Sequence, residues 1–302
     1  MTTLQTPKAL ATAAPAAVSL AARAAALGFA DSHGDEARLE LALGLWGAGL
    51  SGKTTHAASF PDPVFFNFDP TTASITRQKQ RFPFIQVRSL EQMRQLAKAA
   101  AAKELTALVR TLPGFAEYTV RTIVTDSSTF QASLIEEHLD TMTFTTARGS
   151  DDGRARYQAK LVFLNEYYRL MKHAREFEKG KEQYMHVVTI HEKVTVNEKG
   201  EITGIKADIT GDYNRLIFQQ NDVNLFCSLD SDEVPGDKAG KIVAGSRKAI
   251  VRSVPHTKFH GVVADRVGGL GRYKKLPPFV YPPSNDQGGL WGLVEKSWLG
   301  EK

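Results

Sequence analysis

The sequence predicts an α/β fold: a mainly parallel central sheet flanked by helices, followed by a small β-rich C-terminal extension. Short apolar runs typical of buried strands alternate with segments of helical periodicity. A glycine-rich turn joins the first predicted strand to the first predicted helix. Beyond residue 240, short Val-rich runs are separated by Gly and Pro, which is typical of β-rich structure.

The predicted elements follow in order along the chain. Strands are predicted at residues 39–46, 64–69, 119–126 and 184–191. Helices are predicted at residues 54–59, 89–110, 128–140 and 157–178. The polar segment 141–156, with two glycines, is predicted to be a mobile loop, and residues 192–210 a β-hairpin or flexible excursion. Strands that alternate with helices indicate parallel βαβ units.

Length and composition set the predicted domain organisation. The 302 residues fit one large domain or two small ones. We expect an Ala-rich flexible tail at residues 1–38, an α/β core at 39–235 and a basic, β-rich extension at 236–302. Prolines and Arg23 interrupt the tail, which argues against a signal peptide, whereas the lack of acidic residues in its first 30 positions leaves an organellar transit peptide open.

The composition also indicates the cellular compartment in which the protein is expected. No apolar run is long enough to span a bilayer, so no membrane partner is expected. Cys227 is the single cysteine, which excludes an intramolecular disulfide and a thiolate zinc cluster and favours a reducing, cytoplasmic location.

The strongest motif is the segment Gly47-Ala48-Gly49-Leu50-Ser51-Gly52-Lys53-Thr54, which matches G-x-x-x-x-G-K-[ST] in full. Its glycines let successive backbone N–H groups face one phosphate, and the following helix adds its positive N-terminal end. Lys53 is predicted to reach the β- and γ-phosphates of a nucleotide, and the hydroxyl of Thr54 to bind Mg²⁺. The alternative is a glycine-rich turn with no ligand. The motif therefore predicts ATP and Mg²⁺ as cofactors.

Three further residues end predicted strands at the edge where a nucleotide would lie. Asp126 is the candidate second Mg²⁺ ligand; alternatively it caps the next helix. Asp69 is the candidate for orienting the attacking water, although an aspartate before Pro70 also fits a simple turn. His191 is a candidate sensor of the γ-phosphate, and the alternative is a structural histidine.

Four segments together resemble a known family: Gly47–Thr55, Val64–Asp69, Thr122–Ser127 and Val187–His191. They resemble the RecA-like P-loop nucleotide-binding proteins encoded by phages, which are minimal RecA-core ATPases of recombination modules. Shorter similarities at 209–211 and 263–270 extend the resemblance over roughly residues 39–275. The resemblance implies a RecA-type core, binding of ATP and of single-stranded DNA, and assembly into rings or filaments.

The resemblance also implies roles for single residues. Asp69 matches the position of the catalytic acid, which is commonly glutamate in this family, so the shorter side chain puts the hydrolysis rate in doubt. His191 matches the polar sensor position. Segments 141–156 and 192–210 fall where RecA-like proteins carry their DNA-contacting loops. Arg266 is a candidate for reaching the nucleotide of a neighbouring subunit; a local ion pair or a DNA contact is the alternative.

The net charge of +5 is unevenly distributed. Residues 241–275 carry nine basic residues and one acidic residue, a local charge of +8 that leaves the rest of the chain at −3. Such a segment favours salt-sensitive contacts with nucleic-acid phosphates, and the alternative is a solvated surface. The candidate DNA-binding residues are Arg148, Arg154, Arg156, Lys193, Lys199, Arg247, Lys248, Arg252, Lys258, Arg272, Lys274 and Lys275.

We therefore expect an ATP-hydrolysing, single-stranded-DNA-binding protein of phage-type recombination or strand annealing, located in the cytoplasm of a bacterial host. Its expected partners are DNA, further copies of the chain in a ring or filament, and a single-strand-binding protein. The alternatives are a packaging-motor or helicase subunit, a P-loop kinase of small molecules, and a binding module that never hydrolyses ATP.

Overall fold

The computed structural model describes residues 41–145, 152–196, 198–199, 202–208, 217, 220–229, 247–250, 279–280, 282 and 285–299. The strands are β1 Ala42–Gly47, β2 Pro63–Asn67, β3 Phe84–Gln86, β4 Thr122–Asp126, β5 Met185–Val196, β6 Ile202–Ala207, β7 Val223–Leu229, β8 Arg247–Ile250 and β9 Phe279–Val280. The α-helices are α1 Lys53–Ala57, α2 Ala73–Thr76, α3 Leu90–Ala101, α4 Leu105–Arg110, α5 Ser128–Asp140, α6 Gly153–Arg175 and α7 Gly289–Leu299, and a short 3₁₀-helix spans Asn285–Gln287.

The strands form one sheet in the order β3-β2-β4-β5-β1-β7-β8-β9. The first six strands in this order are parallel, and β8 and β9 are added antiparallel at one edge. Strand β5 lies between β1, which leads into the glycine-rich loop, and β4, which ends in Asp126. The predicted α/β fold with a mainly parallel sheet is confirmed.

Each face of the sheet carries its own apolar core, because successive strand residues point to opposite faces. On one face of the sheet, Trp46 belongs to a core that includes buried residues of α3, α4, α5 and α6. Leu43 and Leu45 face the other side, with Phe60 after α1 and with Leu290 and Val294 of α7. The end of the described chain therefore packs against the helix that follows the glycine-rich loop.

Two predicted helices differ from the structure. The helix expected at 89–110 is divided into α3 and α4, because Lys103 has a left-handed backbone with φ 63°. The helix expected from residue 157 begins at Gly153, where the side chain of Asp152 accepts a hydrogen bond from the N–H of Ala155. Arg154 and Arg156 therefore lie in a helix and not in the expected loop.

The predicted hairpin at 192–210 is present. Strand β5 leaves the parallel sheet after His191 and its second half pairs antiparallel with β6, in a register that runs from Glu192 opposite Ala207 to Val196 opposite Ile202. The hairpin thus begins where the parallel sheet ends, at the carboxyl edge of β5.

Helices α5 and α6 pack on one face of the sheet, where Ile135, Leu139 and Leu164 are buried in the core. They pack antiparallel, as shown by contacts of Ser128 with Tyr168 and by the ion pairs Glu136–Lys160 and Asp140–Arg156. Tyr167 lies level with the end of β4, where its hydroxyl bonds to Thr125 at 2.7 Å. Within the described residues, no helix is long and apolar enough to cross a membrane.

Candidate nucleotide-binding site

The glycine-rich loop lies between β1 and α1, at the carboxyl edge of the sheet. Two of its glycines are required by geometry. A Cβ on Gly47, which has φ +150°, would lie 2.1 Å from the carbonyl oxygen of Cys227 on the neighbouring strand. Gly52 has φ 92°, a left-handed conformation that favours glycine, and it precedes the first turn of α1. The loop therefore presents its backbone at the N-terminus of a helix, as the motif predicts.

The Lys53 side chain folds back onto its own loop. Its amine donates hydrogen bonds to the carbonyl oxygens of Gly47 at 2.8 Å and Ala48 at 2.5 Å, and the residue is only 6% exposed. Burial lowers the pKa of Lys53, while the nearby Asp126 and Glu192 act in the opposite direction. The amine is thus placed where an incoming anion meets it.

Thr54 and Asp126 meet directly beneath this loop. The Thr54 hydroxyl donates to Asp126 Oδ2 at 3.0 Å, and the hydroxyl of Thr189 on β5 donates to Asp126 Oδ1. Asp126 is 5% exposed, and burial raises the pKa of its carboxyl against the effect of the two hydroxyl donors. One hydroxyl and one carboxylate oxygen fit Mg²⁺, which is held by few protein oxygens and completes its octahedron with phosphate oxygens and water.

A buried hydroxyl in the loop also fits an anionic ligand. Ser51 is 1% exposed, and its Oγ has no hydrogen-bond partner among the described residues. Buried polar groups in proteins are nearly always paired. The residues present therefore fit a nucleotide phosphate together with its divalent cation.

Asp69 follows β2 at the same edge. Its backbone N–H and that of Phe68 donate to the carbonyl oxygen of Asp126 at 3.3 and 2.6 Å, which ties the two strand ends together. The Asp69 carboxylate accepts the N–H of Thr71 at 2.8 Å and its hydroxyl at 3.1 Å, which is the turn geometry of the alternative interpretation. Asp69 also acts electrostatically on Lys53 and Asp126, so the structure holds it beside the site.

His191 ends the parallel part of β5, opposite Gly47 of the loop. Its N–H donates to the Thr129 hydroxyl at 3.0 Å, and its ring lies edge-on to Phe130 with centroids 5.4 Å apart. Burial lowers the pKa of His191 and Lys53 lowers it further, so the imidazole is neutral at neutral pH. A neutral imidazole can donate one hydrogen bond without adding charge.

Sequence reasoning missed two residues of this site. In the sequence, Thr189 is a polar residue within an apolar strand. It lies two residues before His191 and therefore on the same face of β5, and this spacing was the signal that could have identified it as a site residue. Glu192 follows the candidate sensor, and its charge acts electrostatically on Lys53 of the loop. Both residues become visible only when β5 is placed beside β1.

The structure separates the candidate DNA-binding residues into three groups. Arg154 is exposed on the first turn of α6, whereas Arg156 pairs with Asp140. Lys193 and Lys199 are exposed on the hairpin, one at its base and one at its turn. Strand β8 contains Arg247 and Lys248. Arg148, Arg252, Lys258, Arg266, Arg272, Lys274 and Lys275 lie outside the described residues.

Comparison with known protein families identifies one to which the chain is similar. The chain matches the AAA domain family over residues 40–261, well over half of its length. No curated protein matches it. The solved structures that are similar include an ATPase from the type III secretion system of pathogenic bacteria, at 13% identity and a TM-score of 0.38, covering 62% of this chain and 52% of that one. This chain thus spans about half the length of that ATPase.

A second similar structure is the flagellar accessory protein FlaH from Methanocaldococcus jannaschii, at 11% identity and a TM-score of 0.30, covering 70% of this chain and 76% of that one. The parallel sheet holds the glycine-rich loop at the end of β1 and Asp126 at the end of β4, with one strand between them. The match over residues 40–261 shows that the chain belongs to the AAA domain family of P-loop ATPases.

Proposed function

We propose that this protein is a Mg²⁺-dependent ATPase that binds single-stranded DNA and acts in phage-type recombination or strand annealing. The observation that carries the nucleotide part is the hydrogen bond between Thr54 and Asp126 beneath the loop. It brings the two expected cation ligands together at the N-terminus of α1, where anions bind favourably.

Each residue of the site has its own role in the proposed reaction. The loop N–H groups and Lys53 bind phosphate once the amine leaves the carbonyl oxygens of Gly47 and Ala48. Thr54 and Asp126 hold the cation, which when bound neutralises charge that builds up on the phosphates. Asp69 orients the water that attacks, with its carboxylate positioned by Thr71. His191 donates a hydrogen bond at the γ-phosphate as a neutral imidazole.

The DNA part of the proposal is supported by where the candidate segments lie. The hairpin of β5 and β6 begins at the strand end that carries His191, and helix α5 begins at Ser128, two residues after Asp126. Both therefore leave the sheet at the edge where the nucleotide binds. A charge of +8 in residues 241–275 adds a phosphate-binding segment.

Assembly is the remaining part of the proposal. We propose that copies of the chain form a ring or filament in which Arg266 reaches the neighbouring subunit's nucleotide. A single-strand-binding protein is a further proposed partner, since recombination acts on DNA that such proteins cover. Negative-stain imaging with and without ATP and single-stranded DNA tests the assembly directly.

The experiment for the activity is an ATPase assay at low salt with and without single-stranded DNA. We expect DNA to stimulate turnover and Lys53→Ala to abolish it. Lys98→Ala, which removes an exposed lysine of α3, is the matched control and should behave like the wild type. If DNA neither binds nor changes turnover, the DNA role is wrong. If the terminal phosphate moves to an acceptor molecule and not to water, the protein is a kinase.

A further inference from the structure

The turn that carries Asp69 is held by amide side chains of two neighbouring strands. Gln86 on β3 donates from Nε2 to the carbonyl oxygen of Asp69 at 2.7 Å. Asn67 on β2 donates from Nδ2 to the carbonyl oxygens of Thr71 at 3.1 Å and of Asp69 at 3.3 Å. The two side chains therefore bind the main chain of this turn on both sides of Pro70.

The same two side chains also bind each other, and we call them the amide pair. Asn67 Nδ2 donates to Gln86 Oε1 at 2.8 Å, and the two residues are partners in the parallel register of β2 and β3. Asn67 is fully buried and Gln86 is partly buried, so water competes little for these hydrogen bonds. The amide pair is therefore fixed by the sheet and is not a loose surface contact.

The turn sets what the Asp69 carboxylate can do. Its Oδ1 accepts both the N–H and the hydroxyl of Thr71, whereas Oδ2 has no hydrogen-bond partner among the residues that the structure describes. One carboxylate oxygen is thus occupied by the turn, and the other is available to a water molecule.

The position of Oδ2 depends closely on the backbone of the turn. An aspartate has only two side-chain torsions, so its carboxylate has little reach of its own. On the β4 side, the Asp69 N–H is anchored to the carbonyl oxygen of Asp126 at 3.3 Å. On the β3 side, the amide pair supplies the anchor. Loss of either anchor would let the carboxylate move relative to the cation site.

We propose that Asn67 and Gln86 are positioning residues for ATP hydrolysis, which hold the turn so that Asp69 Oδ2 accepts a hydrogen bond from the attacking water. The proposal rests on the role given to Asp69 in the proposed function. The amide pair acts through Asp69 and does not touch the nucleotide. Its loss should therefore slow the chemical step and leave nucleotide binding intact, because misplacing a reacting group by about 1 Å is enough to slow a reaction strongly.

The first test compares the wild type with Gln86→Met, which keeps the length of the side chain and removes its amide. We expect kcat for ATP hydrolysis to fall about tenfold, while the affinity for a non-hydrolysable ATP analogue, measured by calorimetry, changes less than about twofold. Gln95→Met is the matched control, since Gln95 bonds only to Glu91 on the exposed face of α3. An unchanged kcat, or a loss of affinity as large as the loss of kcat, would contradict the proposal.

A double-mutant cycle shows whether Gln86 acts through Asp69. In an Asp69→Asn background, adding Gln86→Met should lower kcat by less than about twofold, because the group that Gln86 positions has already been removed. A general structural role would multiply the two effects. Multiplied effects would overturn the proposal.

The third test needs no nucleotide. The order parameter of the Thr71 N–H, measured by NMR relaxation, should lie near the rigid value of about 0.85 in the wild type and fall below about 0.6 in Gln86→Met and Asn67→Ser. Gln95→Met should leave it unchanged. A rigid Thr71 in both of the other variants would show that the amide pair does not hold the turn.

The tests separate this proposal from the proposed function. If Asp69→Asn lowers kcat and Gln86→Met does not, the amide pair has no positioning role, although Asp69 retains its own. If Asp69→Asn hydrolyses ATP like the wild type, the role of Asp69 is wrong and the positioning proposal is overturned with it. If the wild type binds no nucleotide, the proposed function fails, and the order parameters still decide whether the amide pair holds the turn.

Discussion

His186 makes the stability of the fold depend on pH in a way that one substitution can isolate. It lies in β5, 3% exposed, and its Nε2 is 2.9 Å from the hydroxyl of Thr125 on β4. Burial lowers the pKa of His186 from 6.5 to about 3, and the positive charge of Arg175 contributes to the decrease. The ring is therefore neutral in the folded protein at pH values well above 3.

The sign and size of the effect follow from proton linkage. Below pH 6.5 the unfolded chain binds a proton at this histidine and the folded chain does not, so the free energy of unfolding falls as the pH falls towards 3. Each pH unit in this window is worth about 1.4 kcal/mol. Between pH ~7.5 and pH ~5, the contribution of His186 to stability falls by about 2 kcal/mol.

Urea unfolding at these two pH values measures the effect. His186→Gln removes the titrating group, so its loss of stability on acidification should be about 2 kcal/mol smaller than that of the wild type. The comparison uses the difference between the two pH values, which cancels any general cost of the substitution. His138→Gln, which removes an exposed histidine of α5, is the control. Equal losses for the wild type and His186→Gln would refute the assignment of a buried neutral imidazole.

Two more predictions concern the cation site and the C-terminal helix. Asp126→Asn removes a charge that is costly to bury, so we expect urea unfolding to show unchanged or slightly higher stability. Mg²⁺-dependent ATP turnover should fall at least about tenfold, because a cation ligand is lost. A destabilised but fully active variant would contradict this prediction. Leu290→Ala opens a cavity between α7 and α1, and we expect a loss of about 2–5 kcal/mol in the free energy of unfolding, measured in the same way. A negligible loss would show that α7 is not part of the core.

The helix expected at residues 89–110 shows where local sequence patterns mislead. Its composition is helical throughout, yet the chain turns at Lys103. There the amine donates to the carbonyl oxygens of His173, Ala174 and Glu176, at 2.8, 2.6 and 2.9 Å. The last carbonyls of a helix have no partner within it. Lys103 thus provides hydrogen bonds for the carbonyl groups at the C-terminus of α6. The contact joins residues about 70 positions apart, so the helical periodicity of the sequence gives no sign of it.

By itself, the sequence determined the features that arise from neighbouring residues. The glycine pattern of the P-loop, the apolar runs of β1, β2 and β4, the helix at 128–140 and the hairpin after His191 all follow from local backbone and burial preferences. The alternation of strands and helices was enough to predict a parallel sheet.

Only the tertiary structure decided which side chains meet. Thr54 and Asp126 are 72 residues apart, and Thr189 is a further 63 from Asp126, so their contacts depend on strand order and register. The same register places His191 opposite Gly47 of the loop. A one-residue shift would turn each strand's side chains to the other face, and a single sequence does not encode that choice locally.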